Sequence, residues 1–115
     1  MIVVRMIMNV LPEKHKEVMQ TLLSIIEPPG KESGYLSYGI FCDIEDKNVF
    51  NLISEWETRE YLNDHIKSYR FSVLLGTKSL LCEPPQIEIH TVSRSEGMEA
   101  IDAVRCKRTQ YIPNH

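Results

Sequence analysis

The sequence predicts an α+β domain whose elements run β-α-β-β-α-β along the chain. Three observations carry that prediction. Residues 2–9 and 49–56 alternate apolar and polar with period two, as strands do. Residues 15–26 and 61–75 instead repeat their apolar positions at helical spacing. Only Glu45-Asp46-Lys47-Asn48 separates the second and third strand stretches, so those two form an antiparallel hairpin.

Ile2 to Asn9 places Ile2, Val4, Met6 and Met8 on one side and Val3, Arg5, Ile7 and Asn9 on the other. One apolar and one mixed side suit a sheet with a single covered face. Pro12 follows at a position where a helix tolerates proline in its first turn. His15, Val18, Met19, Leu22, Ile25 and Ile26 then form the apolar stripe of a helix. Glu13, Lys16, Glu17, Gln20 and Ser24 lie opposite, and Pro28-Pro29-Gly30 ends the helix. Tyr35 to Asp43 reads as the second strand. Val49 to Trp56 is the third, with Phe50, Leu52, Ser54 and Trp56 on one side.

Thr58 is the expected N-cap of a second helix with Tyr61, Leu62, His65, Ile66 and Tyr69 on its inward stripe. Ser68 caps a further helical stretch, in which Phe71, Leu74 and Leu75 face inward. Pro84-Pro85 breaks it, and Ile87 to Val92 is the fourth strand. This order is the split-βαβ, ferredoxin-like pattern of an antiparallel four-stranded sheet with helices on one face. It occupies residues 1–93. Residues 94–115 form a C-terminal extension in which Ser93 and Glu96 offer a capping box. Met98, Ile101 and Val104 then recur every three residues as a short amphipathic helix. That helix needs an apolar surface, on its own domain or on a second subunit, unless the segment is disordered. Arg105, Lys107 and Arg108 read as a solvated basic cluster.

Size and charge narrow the function. The 115 residues leave no room for a dinucleotide-binding domain beside a substrate domain. Lys and Arg number 13 against 16 Asp and Glu, so nucleic acid is not an expected partner. No apolar run approaches the ~20 residues that span a bilayer, and no secretory signal pattern opens the chain. Cys42, Cys82 and Cys106 are odd in number and far apart, which predicts reduced, mostly buried thiols in a cytoplasmic protein. His15, His65, His90 and His115 have no zinc spacing, so no metal site is expected.

The informative stretch is Glu55 to Phe71. A tryptophan closes a strand, a Thr-capped helix follows, and His65 comes nine residues after Trp56 on the apolar stripe. Taken alone, an inward histidine is more often a hydrogen-bonded core residue than a catalyst. The run W-E-T-x-E-x-L-x-x-H-x-x-S-x-x-F, together with Ser33-Gly34-Tyr35 and the following Tyr38, resembles the antibiotic biosynthesis monooxygenase family, quinol monooxygenases included. The resemblance spans about residues 1–93. It implies a homodimeric α+β barrel with a pocket between sheet and helices in each subunit. It also implies oxidation of a quinol-like or polyketide-like aromatic by O2 without a cofactor.

Such chemistry requires a base that titrates near neutrality, donors for a developing oxyanion, and an aromatic-lined apolar cavity. His65 is the candidate base and Trp56 the candidate wall. Tyr38, Tyr61 and Tyr69 are candidate donors, and Phe50 and Phe71 further walls. Arg5 and Asn9 would orient a substrate oxygen if their side of the first strand faces the pocket. Core packing is the competing reading for Trp56 and the tyrosines, a salt bridge for Arg5 and a turn for Asn9. Two departures matter. Leu52 and Leu62 stand where anthrone-oxidising relatives carry asparagine and tyrosine. Leu75 stands where haem-degrading relatives carry an iron-ligating histidine. Quinol-oxidising relatives match best, through Trp56, His65 and Ser68. A non-catalytic small-molecule-binding or stress-associated module of the same fold is the alternative. In a third reading the pocket is filled by its own side chains and the extension binds a partner.

Overall fold

A computed structural model describes residues 1–26 and 33–111 of the chain, the side chains of 107–111 excepted. Its elements are β1 (Ile2–Asn9), α1 (His15–Ile25), β2 (Tyr35–Cys42), β3 (Val49–Trp56), α2 (Arg59–Ile66), α3 (Tyr69–Gly76), β4 (Gln86–Thr91) and α4 (Met98–Tyr111). The four strands form one sheet in the order β2-β3-β1-β4, every pair antiparallel. This is the ferredoxin-like α+β arrangement. The Pro28-Pro29-Gly30 terminator lies outside the described residues.

Register places the apolar row Ile2, Val4, Met6, Met8 of β1 beside Phe50, Leu52, Ser54 and Trp56 of β3, and all eight are buried. Period-two alternation is therefore obeyed to the ends of both strands. Val18, Leu22 and Ile25 of α1 and Phe71 and Leu74 of α3 close the larger core cluster over this face. A smaller cluster of Ile2, Val4, Trp56 and Leu62 lies under α2, and Ile66 packs against both. His15 ends the α1 stripe, its Nδ1 3.1 Å from Asn48 Oδ1 and its ring 5.4 Å from that of Phe50.

The two capping residues act as expected, and one does more. Thr58 Oγ1 accepts the Tyr61 N–H, and Ser68 Oγ accepts the Phe71 N–H at 3.3 Å. Ser68 also gives both its backbone N–H (2.9 Å) and its hydroxyl (2.6 Å) to the carbonyl of His65. One serine thus ends α2, starts α3 and holds the backbone of His65.

Several expectations are corrected. Tyr69 is the first residue of α3, not part of the α2 stripe, and is 82% exposed, because the turn at Lys67-Ser68 breaks the helical phase. Cys42, Cys82 and Cys106 are free and exposed: they fall at the end of β2, after β1's last bridge, and on α4, all outside the core. The Ser93–Glu96 capping box does not form. α4 starts at Met98, where Glu99 Oε1 accepts the Gly97 N–H at 2.9 Å. That bond, with one from Glu99's own N–H, holds the Glu99 carboxyl below the usual carboxylate range. α4 does not pack on its own domain, since Met98, Ile101 and Val104 are each more than half exposed. Arg105 is exposed, and the Lys107 and Arg108 side chains lie outside the described residues. No helix among the described residues is long and apolar enough to cross a membrane.

Gly34 enters β2 with φ +76°, and a Cβ there would lie 2.1 Å from the Tyr61 ring. Gly34→Ala combines left-handed strain with an impossible overlap and should cost more than about 2 kcal/mol. Thermal denaturation should show a Tm at least about 10 °C lower; an unchanged Tm would mean that Tyr61 does not pack over this turn.

Candidate active site

Trp56 ends β3 with no exposed surface, and its single polar atom must therefore find an acceptor. Ser54, two residues earlier and so on the same face, supplies it: Trp56 Nε1–H donates to Ser54 Oγ at 3.0 Å within the core. His65 projects from α2 onto the indole, ring centroids 4.5 Å apart and planes 30° from parallel. The edges of two further rings meet the imidazole, Phe71 at 5.6 Å and Tyr38 at 6.1 Å. Tyr35 stands edge-on to Trp56, ring centroids 6.1 Å apart. His65 is 94% covered, its backbone fixed by Ser68 and its ring by this cage.

Three cavities meet at His65. The first is a narrow apolar cleft between the sheet and α2–α3, with a free volume of about 30 Å³. Val4, Met6, Leu52, Leu62, Phe71 and Leu74 supply most of its surface, Tyr38, Ser54 and His65 its polar points, and Ile87 and Ile89 of β4 its rim. A second, smaller space lies between α1, β2 and α3, against Tyr35, Tyr38 and Arg70. The third is a polar cleft of about 260 Å³, open to solvent, formed by Ser33, Trp56, Tyr61, Asp64 and His65. His65 is the one residue that lines all three. The space between sheet and helices is narrow and open at its β4 rim, and its lining side chains leave room for about one or two water molecules.

Of the residues singled out in the sequence, the fold brings Trp56, His65, Tyr38, Phe71 and Tyr61 together. The other four lie elsewhere. Phe50 is buried in the larger core beside His15, on β3 but six residues away from Trp56. Tyr69 points to solvent. Arg5 is on the sheet face away from the helices, its Nε 3.3 Å from Asn51 Oδ1 and its guanidinium 3.8 Å from Glu88. Asn9 ends β1 and donates to Glu83 Oε1 at 2.6 Å. The condition set for Arg5 and Asn9 is not met, because period-two alternation sends odd-numbered β1 side chains outward. Two site residues were passed over in the sequence. Ser54 was detectable as the one polar residue on a core-facing strand row. Asp64 was not, since an exposed helical aspartate carries no signal.

No group of His, Cys, Asp and Glu side chains converges as a metal site among the described residues. The polar side chains that line the apolar cleft are Tyr38, Ser54 and His65. Ser54 Oγ already accepts from Trp56, so its own O–H is the donor it has to offer.

The model of the antibiotic biosynthesis monooxygenase family matches residues 1–74, the stretch that contains β1 through α2, most of α3 and the whole cage. The chain belongs to this family. An uncharacterised Synechocystis protein is 28% identical over 91 residues, covering 78% of this chain. This chain spans only 62% of that relative's length. Bacillus subtilis YcnE, provisionally named a monooxygenase, is 26% identical over 85 residues, 73% of this chain and 90% of its own. Among solved structures, a conserved Methanosarcina mazei protein superposes with TM-score 0.73 at 30% identity, over 77% of this chain and 89% of that one. A structure described as an antibiotic biosynthesis monooxygenase gives TM-score 0.75 at 21% identity, over 82% and 100%. At that identity the second likeness concerns the fold.

The Trp56–Ser54 bond can be isolated by a double-mutant cycle. Ser54→Ala strands the buried indole N–H and should cost about 1–3 kcal/mol in urea denaturation. In a Trp56→Phe background the same change should cost less than about 1 kcal/mol, since no donor remains to be stranded. Equal costs in both backgrounds would mean that the bond contributes nothing.

Proposed function

We propose that the protein is a cofactor-independent monooxygenase that oxidises a quinol-like or polyketide-like aromatic with O2, as a cytoplasmic homodimer. The observation that carries this reading is the position of His65. It is the one histidine among the described residues that line the apolar cleft, and at the same time it borders a solvent-open cleft. A phenolic or enolic substrate seated against Leu52, Leu62 and Phe71 gives its proton to His65. The imidazolium so formed rests on the face of Trp56, where a cation is attracted by the ring quadrupole. Ser54 O–H is the donor for the substrate oxygen on which charge develops.

The deprotonated, electron-rich ring supplies the electrons. One atom of O2 becomes bonded to ring carbon, and the other leaves as water with two hydrogens from the substrate. The protein's own part is to bind, deprotonate and keep water out. Membership of the family and the provisional monooxygenase name of the Bacillus relative support the reaction class. Free thiols at Cys42, Cys82 and Cys106 are in keeping with a reducing compartment. The mixed outer face of the sheet, with Val3, Ile7 and Ile53 only half-covered and Phe41 exposed, supports a second copy packed against it.

Oxygen consumption with a panel of quinols and anthrones tests the proposal. The wild-type protein should exceed the autoxidation rate on at least one of them, and His65→Ala should lower that rate by about 10²–10⁴-fold. Wild-type rates at the autoxidation level throughout would overturn the enzyme reading. If the same compounds then still quench the sole tryptophan, Trp56, the cleft is a binding site and the protein a non-catalytic binding module.

A further inference from the structure

β4 is the one strand exposed along its whole length on both faces. Its inward row, Ile87 and Ile89, pairs with Met6 and Val4, which are buried, yet itself stays 42% and 38% exposed. The cause is topological. α1, α2 and α3 are spent on β1–β3 and the near side of the cleft, so no element among the described residues covers β4 from the helix side. The rim of the apolar cleft is left open there.

Just beyond β4 the same chain builds a helix with nothing to cover. α4 has 14 residues, about the length at which an isolated helix is marginal in water. Its stripe Met98, Ile101, Val104 is 63%, 52% and 67% exposed. The connection from Val92 to Gly97 can extend about 20 Å. In the single chain α4 extends away, and the molecule measures 60 Å along its longest axis against 22 Å along its shortest.

We infer that α4 docks on a second copy of this chain, its Met98–Ile101–Val104 stripe closing the Ile87–Ile89 rim of that copy's cleft. The inference rests on the homodimer proposed above and adds what that dimer does for the site. Area favours a second copy. An eight-residue, four-stranded face offers only about 500 Å² per subunit, about 1,000 Å² in total. That falls short of the roughly 1,600 Å² of a standard stable interface. A 14-residue helix is about 21 Å long and 10 Å wide, so two symmetric helix contacts add about 800 Å² and reach that range. The exchange also gives each cleft the cover its own chain does not supply, and water exclusion is what the proposed chemistry asks of the fold.

The test places a photo-crosslinking benzoylphenylalanine at Val104 in the full chain and weighs the products by mass spectrometry. The expected product is a covalent dimer in which the adduct maps to the peptide carrying Ile87 and Ile89. An adduct of single-chain mass means that α4 folds back on its own cleft, and it overturns the inference. So does a dimer adduct mapping elsewhere, or no adduct in a protein that light scattering shows to be dimeric. A 13.4 kDa particle at micromolar concentration overturns the homodimer itself. Independently, Ile101→Asp should raise the dimer dissociation constant at least tenfold while leaving the thermal transition of the domain in place, and Ile101→Leu should not. An unchanged constant in Ile101→Asp counts against the docking.

Discussion

A fully buried indole has one N–H to satisfy, and everything at this site follows from Ser54 satisfying it. Ser54 and Trp56 are neighbours on one face of β3 because a strand returns to the same side every second residue. Their bond fixes the Trp56 ring flat beneath α2, where it becomes the surface on which His65 stacks. The bond takes one lone pair of Ser54 Oγ and leaves its O–H able to donate. A polar residue that looks like a core defect is thus both the support of the largest aromatic ring and a hydroxyl donor in a mostly apolar cleft.

The helical side of the site has a comparable economy. Ser68 closes α2 and opens α3, and its two bonds to the His65 carbonyl mean that the kink between the helices and the histidine's position are one feature. The same kink brings Phe71 against the imidazole and turns Tyr69 out to solvent. A histidine enclosed this way has little rotational freedom, which is the preorganisation that proton transfer requires. The ion pairs on the opposite sheet face have no such enclosure. Arg5, Glu88 and His90 are about half exposed, and pairs of that kind contribute little to a single subunit's stability.

Most of the fold was legible in the sequence because it depends on local rules. Period-two alternation in Ile2–Asn9 and Val49–Trp56, the short hairpin connection, and the Thr58 and Ser68 caps are properties of neighbours in the chain. The β-α-β-β-α-β order followed from them, as did the inward aim of His65. Tyr69 and the start of α4 were misread where a local rule was extended past a break in helical phase. The exposed thiols were misread because cysteine's preference for the interior is statistical and these three fall where the core does not reach.

What the sequence determined by itself was therefore the set of elements, their order, and which face of each is apolar. What only the tertiary structure decided was which apolar faces meet. Phe50 and Trp56 share one row of one strand, yet one joins α1's core and the other the histidine's cage. Arg5 and Asn9 lie behind the sheet because register, not residue chemistry, assigns their side. The bare rim of β4 and the uncovered stripe of α4 belong to the same category. Each is an ordinary apolar pattern in the sequence, and only the packing of the other helices leaves both without a partner in the single chain.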